Sequence, residues 1–340
     1  MKNPIVLILF FVYITGHAQK NPGEYFEKIN TEFGAISDEM WDYTSAIAHG
    51  KKARTVENKR KELIGQITTS MNKIKHMPAF EGNTAYRDSA VSYLKLNKIV
   101  LNEDYAKIVD MEEVAEQSYD AMEAYMMVKD KADEKCSAAG DMIEAEGQKF
   151  AAEHNINLVD SKDKIGKKLE EAGKVYKYYN AIYLIFFKSY KQEIYLVDAQ
   201  NKSDFNAMEQ NKNALAKNSV DGQQILATIK DFKGDLSVKN ACMDILKFYE
   251  SEATKKYDDI SSFYLEKEKF DKIKSSFEAK GAKRTQSDID QYNSAIKDFN
   301  ATSEKYNKTN NELNENRSKL LNKWNDASAR FTDKHVPKRK

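Results

Sequence analysis

An all-α fold is predicted by three observations. Prolines are confined to positions 4, 22, 78 and 337. Apolar residues recur at alternating steps of three and four, and two stretches of the chain repeat one another about 152 residues apart. Helices admit proline only in their first turn, so the stretch between Pro78 and Pro337 holds no residue that forbids one. Steps of three and four mark a helix buried along one stripe, whereas a half-buried strand alternates every second residue.

The chain opens with Lys2, an unbroken apolar run from Ile5 to Ile14, then Thr15, Gly16, His17 and Ala18. A basic start, a short apolar core and small residues before the cut are the parts of a signal peptide, with cleavage expected after Ala18. The run falls short of the roughly 20 residues that span a bilayer. Gln19, not a cysteine, follows the cut, so the usual acceptor for a lipoprotein anchor is missing and the mature chain is expected to be soluble. No later segment reads as transmembrane: the richest, Ala181 to Ile194, is interrupted by Lys188, Lys191 and Glu193.

The first mature helix carries the stripe Phe26, Ile29, Phe33, Ile36, Met40, Tyr43 and Ile47. Comparable stripes run Leu101, Tyr105, Ile108, Met111, Ala115, Tyr119, Met122 and Met126; Tyr176, Tyr179, Tyr183, Phe187, Tyr190, Ile194 and Val197; and Ile289 through Tyr306 and Trp324 to Phe331. Charges fill the remaining positions, giving helices wet on one side. The stripes lapse at 50–55, 78–84, 155–164, 201–204, 233–235 and 281–285, which predicts about eight helices. Thr84 to about Lys135 reads as a single helix, ~75 Å long at 1.5 Å per residue. Thr285 and Asp288 are placed to cap the last helix.

Shifted by 152, Phe80-Glu81-Gly82-Asn83 falls on Phe232-Lys233-Gly234-Asp235, and the register holds through Leu94 on Leu246, Tyr105 on Tyr257 and Ile108 on Ile260. Upstream, a shift of 153 places Tyr25, Ile29 and Phe33 on Tyr178, Ile182 and Phe186. The fold class expected is therefore two tandem copies of a long-helix, about four-helix antiparallel bundle, elongated and with coiled-coil-like packing. Their ranges are 19–160 and 161–335, with a basic tail at 336–340. The repeated turn residues Phe80, Gly82, Asn83, Phe232, Gly234 and Asp235 are structural by this reading, since glycine supplies the left-handed conformation that a reversal needs. A paired binding turn is the functional alternative.

Removing Lys2 leaves 53 basic residues against 53 acidic ones, interleaved along the chain. That balance argues against bulk capture of nucleic acid. Cys136 and Cys242 allow one bridge, which would tie the two copies together. His49, His76, His154 and His335 are scattered without metal-ligand spacing. Asp110, Glu112 and Glu113, and Asp130, Asp133 and Glu134, lack the alternating acidic loop of a calcium site. Phosphate-cradling loops and nucleophile elbows are missing, so no catalytic, cofactor or metal residue is assigned. Met122, Met126 and Met127 read as core.

With its signal peptide, paired Phe-x-Gly turns and Lys-, Asn- and Tyr-rich heptad helices, the chain resembles exported and surface-located helical proteins of Gram-negative bacteria. The resemblance implies a periplasmic, cell-surface or secreted location and carries no activity with it. The expected function is a non-enzymatic interaction or structural protein of the envelope, binding an unspecified macromolecule, with its stripes met within the chain or by a second copy. A membrane-active protein, motivated by the apolar segment Ile182 to Phe187, and an envelope enzyme without a recognisable motif are the alternatives.

Overall fold

The computed structural model describes residues 21–49, 51–104, 115–158 and 164–338. The expected signal peptide with its cleavage point, and the repeat partners Tyr105 and Ile108, lie outside them. Among the described residues the chain is helical, without strands. The helices are α1 (Pro22–Ala48), α2 (Ala53–Lys75), α3 (Ala85–Ile99), α4 (Tyr119–Glu153), α5 (Lys164–Asn201), α6 (Phe205–Thr228), α7 (Ser237–Ser251), α8 (Tyr257–Lys280) and α9 (Gln286–His335). A π turn, Val100–Asp104, extends α3, and a second, Glu252–Lys256, joins α7 to α8 as one continuous rod.

Their ends follow from local chemistry. Asn21 accepts a hydrogen bond from Gly23 N at 3.0 Å with Pro22 in the first turn, where a missing N–H costs nothing. Ser118 and Asp204 cap α4 and α6 by accepting from Ala121 N and Ala207 N. At α9 the Thr285 and Asp288 pair forms the expected reciprocal cap: Thr285 N donates to Asp288 Oδ2 at 2.8 Å, and Asp288 N to Thr285 Oγ1 at 3.3 Å.

One expected helix is corrected. The span from Thr84 to Lys135 is not a single rod: α3 passes into its π turn, residues 116–117 form a turn, and the extended Ser118 starts α4 afresh. The apolar stripe from Leu101 to Met126 therefore runs across the end of one helix and the start of another. Stripe continuity alone does not show a reversal that carries no proline or glycine.

The chain divides into two compact units, Met1–Asn180 with Ala329–Lys340, and Ala181–Ser328. In the first, α1 buries Phe26, Ile29, Phe33, Ile36, Met40 and Tyr43. They meet Leu63, Ile67 and Ile74 of α2, Tyr86 and Tyr93 of α3, and Phe150 of α4 in an apolar core. Phe26 stacks on Tyr86 at 5.0 Å, and Phe80 meets Phe150 edge-on at 5.5 Å. Gly147 allows this closeness, since a Cβ there would lie 3.2 Å from the Tyr86 ring.

In the second unit Phe186 stacks on Trp324 at 4.3 Å. The antiparallel pair α8 and α9 is seamed by Phe263, Phe270 and Phe277, which stack on Tyr306, Phe299 and Tyr292 at 4.2, 4.8 and 4.3 Å. Both sets step by seven residues, so each ring returns to the same side of its helix.

The two repeats match in backbone detail. The α1–α2 loop, 49–52, has one residue more than the α5–α6 loop, 202–204, which is why the shift falls from 153 to 152 between them. At 153, α5 buries Tyr176, Tyr179, Ile182, Phe186, Ser189, Glu193, Leu196 and Ala199 where α1 buries Gly23, Phe26, Ile29, Phe33, Ile36, Met40, Tyr43 and Ala46. At 152, α2 begins where α6 begins, α3 spans the positions of α7, and the two π turns coincide.

Candidate functional site

The repeated turns are built alike. Phe80 and Asn83 exchange backbone hydrogen bonds at 3.0 and 2.8 Å, and Phe232 and Asp235 do so at 3.2 and 2.9 Å. Gly82 and Gly234 take φ of 81° and 80°. The side chains of Asn83 and Asp235 each accept from the backbone N–H two residues on, at 2.8 Å. Arg87 donates to Met77 O at 2.7 Å, and its counterpart Lys239 donates to Ile229 O at 2.5 Å. These polar contacts fasten the reversal and cap the following helix.

The remaining sequence candidates do not converge. His49 bonds Asp333 at 2.9 Å, His76 bonds Asn72 O at 2.7 Å, His154 packs on Phe80 and Phe150, and His335 packs on Phe331. Cys136 and Cys242 are buried and fall in separate units; burial pushes the Cys242 thiol well up. Met122 is buried while Met127 is exposed. Asp133 lies on α4 near Lys129, and burial pushes its carboxyl up to about 7 against the pull of that lysine.

Two features escaped sequence reading, and both involve the π turns, which insert one residue into a helical turn and are frequent at functional sites. The first is an ionic triad in the second unit, two buried carboxylates on one half-buried arginine. Arg317 of α9 pairs through Nε with Glu193 of α5 and through Nη2 with Glu252 of the π turn at 2.7 Å. Its Nη1 donates to Asn314 at 2.6 Å. The two carboxylate side chains are 3% and 1% exposed. Burial pushes Glu252 up to about 7, with Arg317 opposing and Glu193 adding. Glu193 is raised by the same burial, and Tyr249 beside them is raised further still.

The first repeat has no such charges at the corresponding places. Glu193 stands where α1 has Met40, and Glu252 where the other π turn has Val100. Arg317 is traced through the ends of α4 and α9. Tyr25 packs on Phe150 at 5.6 Å and Phe150 on His154 at 4.5 Å; Tyr178 packs on Phe331 at 5.4 Å and Phe331 on His335 at 4.7 Å. Counted back equally from Phe150 and Phe331, Arg317 falls on Cys136. The spacing there is 181, and the excess over 152 is the outer part of the α8–α9 hairpin.

The second feature is a surface groove of about 470 Å³ between α2 and α3, lined by Met71, Asn72, Lys75, Val91, Lys95, Lys98, Ile99 and Asn102. Asn102 belongs to the π turn, which Arg60 braces by donating to Leu101 O at 2.8 Å. Its charged lining is three lysines, with Met71, Val91 and Ile99 supplying an apolar floor. Such a surface offers cation and apolar contact to a ligand. Set against family models, curated proteins and solved structures, the chain shows no match in any of the three comparisons.

Proposed function

We propose that the protein is an exported, non-enzymatic interaction protein of the bacterial envelope, built from two tandem four-helix antiparallel bundles with coiled-coil-like packing, 19–160 and 161–335. The observation that carries this reading is a duplicated frame with unlike linings. Turn, π turn and helix register recur at one spacing, while the side chains between α2 and α3, and those at the triad, have diverged from their counterparts. Duplication supplies two related faces on one chain, and divergence lets each take its own contacts, which is how a tandem module gains effective concentration for a partner. The signal-like start supports export, and no helix among the described residues is long and apolar enough to cross a membrane.

The test is photo-crosslinking in the native envelope from intact protein carrying a reactive residue at Lys61 of α2 or at the corresponding Asn213 of α6, both exposed. A discrete macromolecular adduct from at least one position, with the processed chain starting at Gln19 in envelope or secreted fractions, is expected. Cytoplasmic retention with an intact start overturns export. An exported chain that gives no adduct from either position overturns the interaction.

A further inference from the structure

We propose that the α2–α3 groove of the first unit is a binding site for a single-chain amphiphile with an anionic head. The floor of Met71, Val91 and Ile99 takes the chain, and Lys75, Lys95 and Lys98 take the head. Ile99 is among the large apolar side chains left exposed, and it faces a volume in the range of small-ligand sites.

Charge is the reason for the anionic head. Some lysines of this chain are tied to a carboxylate three or four residues away, as Lys61 is to Glu57, Lys174 to Glu170 and Lys202 to Asp198. Lys75, Lys95 and Lys98 line one groove, and none of them is paired with a carboxylate whose side chain is described. Three ammonium groups around one apolar floor repel each other, and an anionic head placed among them relieves that repulsion. Asn72 and Asn102 add amide donors at the rim.

The second repeat provides the contrast. Shifted by 152, Lys75, Lys95 and Lys98 become Ala227, Lys247 and Glu250, and Met71 and Ile99 become Gln223 and Ser251. Gln223 donates to Glu250 at 2.7 Å, spanning the place where the first repeat is open. The backbone frame is shared and keeps Lys247 for Lys95 and Met243 for Val91, so the cations Lys75 and Lys98 and the floor residues Met71 and Ile99 belong to the first repeat and are not demanded by the fold.

The experiment is calorimetric titration of the purified intact protein with dodecyl phosphate below its micelle-forming concentration, alongside neutral dodecyl maltoside and inorganic phosphate. One equivalent of dodecyl phosphate is expected to bind, more weakly as salt rises from about 50 to about 300 mM. Much weaker binding is expected for either reference compound. The variant K75A/K98E takes the residues that the second repeat carries in the same frame, and about a tenfold loss is expected. Should that variant misfold, the wild-type salt dependence and the maltoside comparison decide the matter. Equal affinity for dodecyl maltoside, equal affinity for inorganic phosphate, an unchanged Kd in the folded variant, or no binding by wild type each overturns the site. An acidic peptide that binds while dodecyl phosphate does not also overturns it. The titration needs no envelope partner, so its failure and that of the interaction reading are separate results.

Discussion

At equivalent places in the repeated frame the first copy buries Met40, Val100 and Cys136, and the second buries Glu193 and Glu252 against the half-buried Arg317. The same helices and the same π turn surround both sets. A π turn is thus compatible with either lining and does not exist to serve the charges. What differs is the energetic character of the core. Apolar contacts tolerate small displacements, whereas a buried carboxylate is stable only while its partner stays in place. The ionic copy should therefore be the more position-sensitive and the more pH-sensitive of the two.

The largest expected effect comes from taking away the shared cation. Arg317→Met leaves two carboxylates buried without their partner, and a loss of about 3–5 kcal/mol is expected, read as faster hydrogen exchange in α7 and a lower urea midpoint for the second unit. The triple variant Glu193→Met/Glu252→Val/Arg317→Met, which imposes the apolar character of the first copy, should recover that loss and gain up to about 1–4 kcal/mol. A triple variant as unstable as Arg317→Met would show that the triad fits its site better than an apolar lining does, and the comparison between copies would fail.

A smaller effect is expected from pH. An unfolded carboxyl titrates near 4.3, whereas Glu252 titrates at about 7 in the fold. Between those values the native state holds the extra proton, so stability falls as pH rises. The contribution is fully present below about pH 4 and lost above about pH 7, on the order of 3 kcal/mol for one such group. Asp133 in the first unit, also raised to about 7, adds a slope of the same sign. Urea midpoints should therefore fall between about pH 5 and about pH 8 for wild type and fall less for the triple variant, with Asp133 contributing to the remainder. An identical slope in both proteins would place the titration outside the triad.

Much of this frame was legible in the sequence because it is written in periodicity and breaks. The lapses at 50–55, 201–204 and 281–285 coincide with observed loops, and the Thr285–Asp288 cap forms as its spacing implies. The break after α3 was not legible, because Leu101 and Ala115 sit in an unbroken apolar rhythm, and a π turn has no composition of its own. The triad was hidden by a rule that usually serves well. The stripe through Tyr183, Tyr190, Ile194 and Val197 was traced along apolar residues, yet those four are only half-buried; the buried series runs Ile182, Phe186, Ser189, Glu193 and Leu196. Extending the 153-residue match beyond Phe186 would have set Glu193 on Met40 and exposed the anomaly. The groove was invisible because Lys75 on one helix and Lys95 and Lys98 on another come together only when α2 packs on α3.

The smallest effect tests the part of the frame in which the copies agree. Gly82 and Gly234 hold φ near +80°, and a Cβ at either would meet nothing within 4 Å. Alanine there costs only the left-handed conformation, about 1–2 kcal/mol, and the cost should be the same in G82A and G234A. A turn that serves structure loses stability and keeps its contacts, so both variants should retain the dodecyl phosphate affinity and the envelope adducts of wild type. Loss of an adduct in a variant whose stability falls by no more than this would assign the turn a binding role that its satisfied hydrogen bonds do not indicate. Unequal costs would show instead that the shared φ values conceal different packing beneath Phe80, which is buried, and Phe232, which is only half-buried.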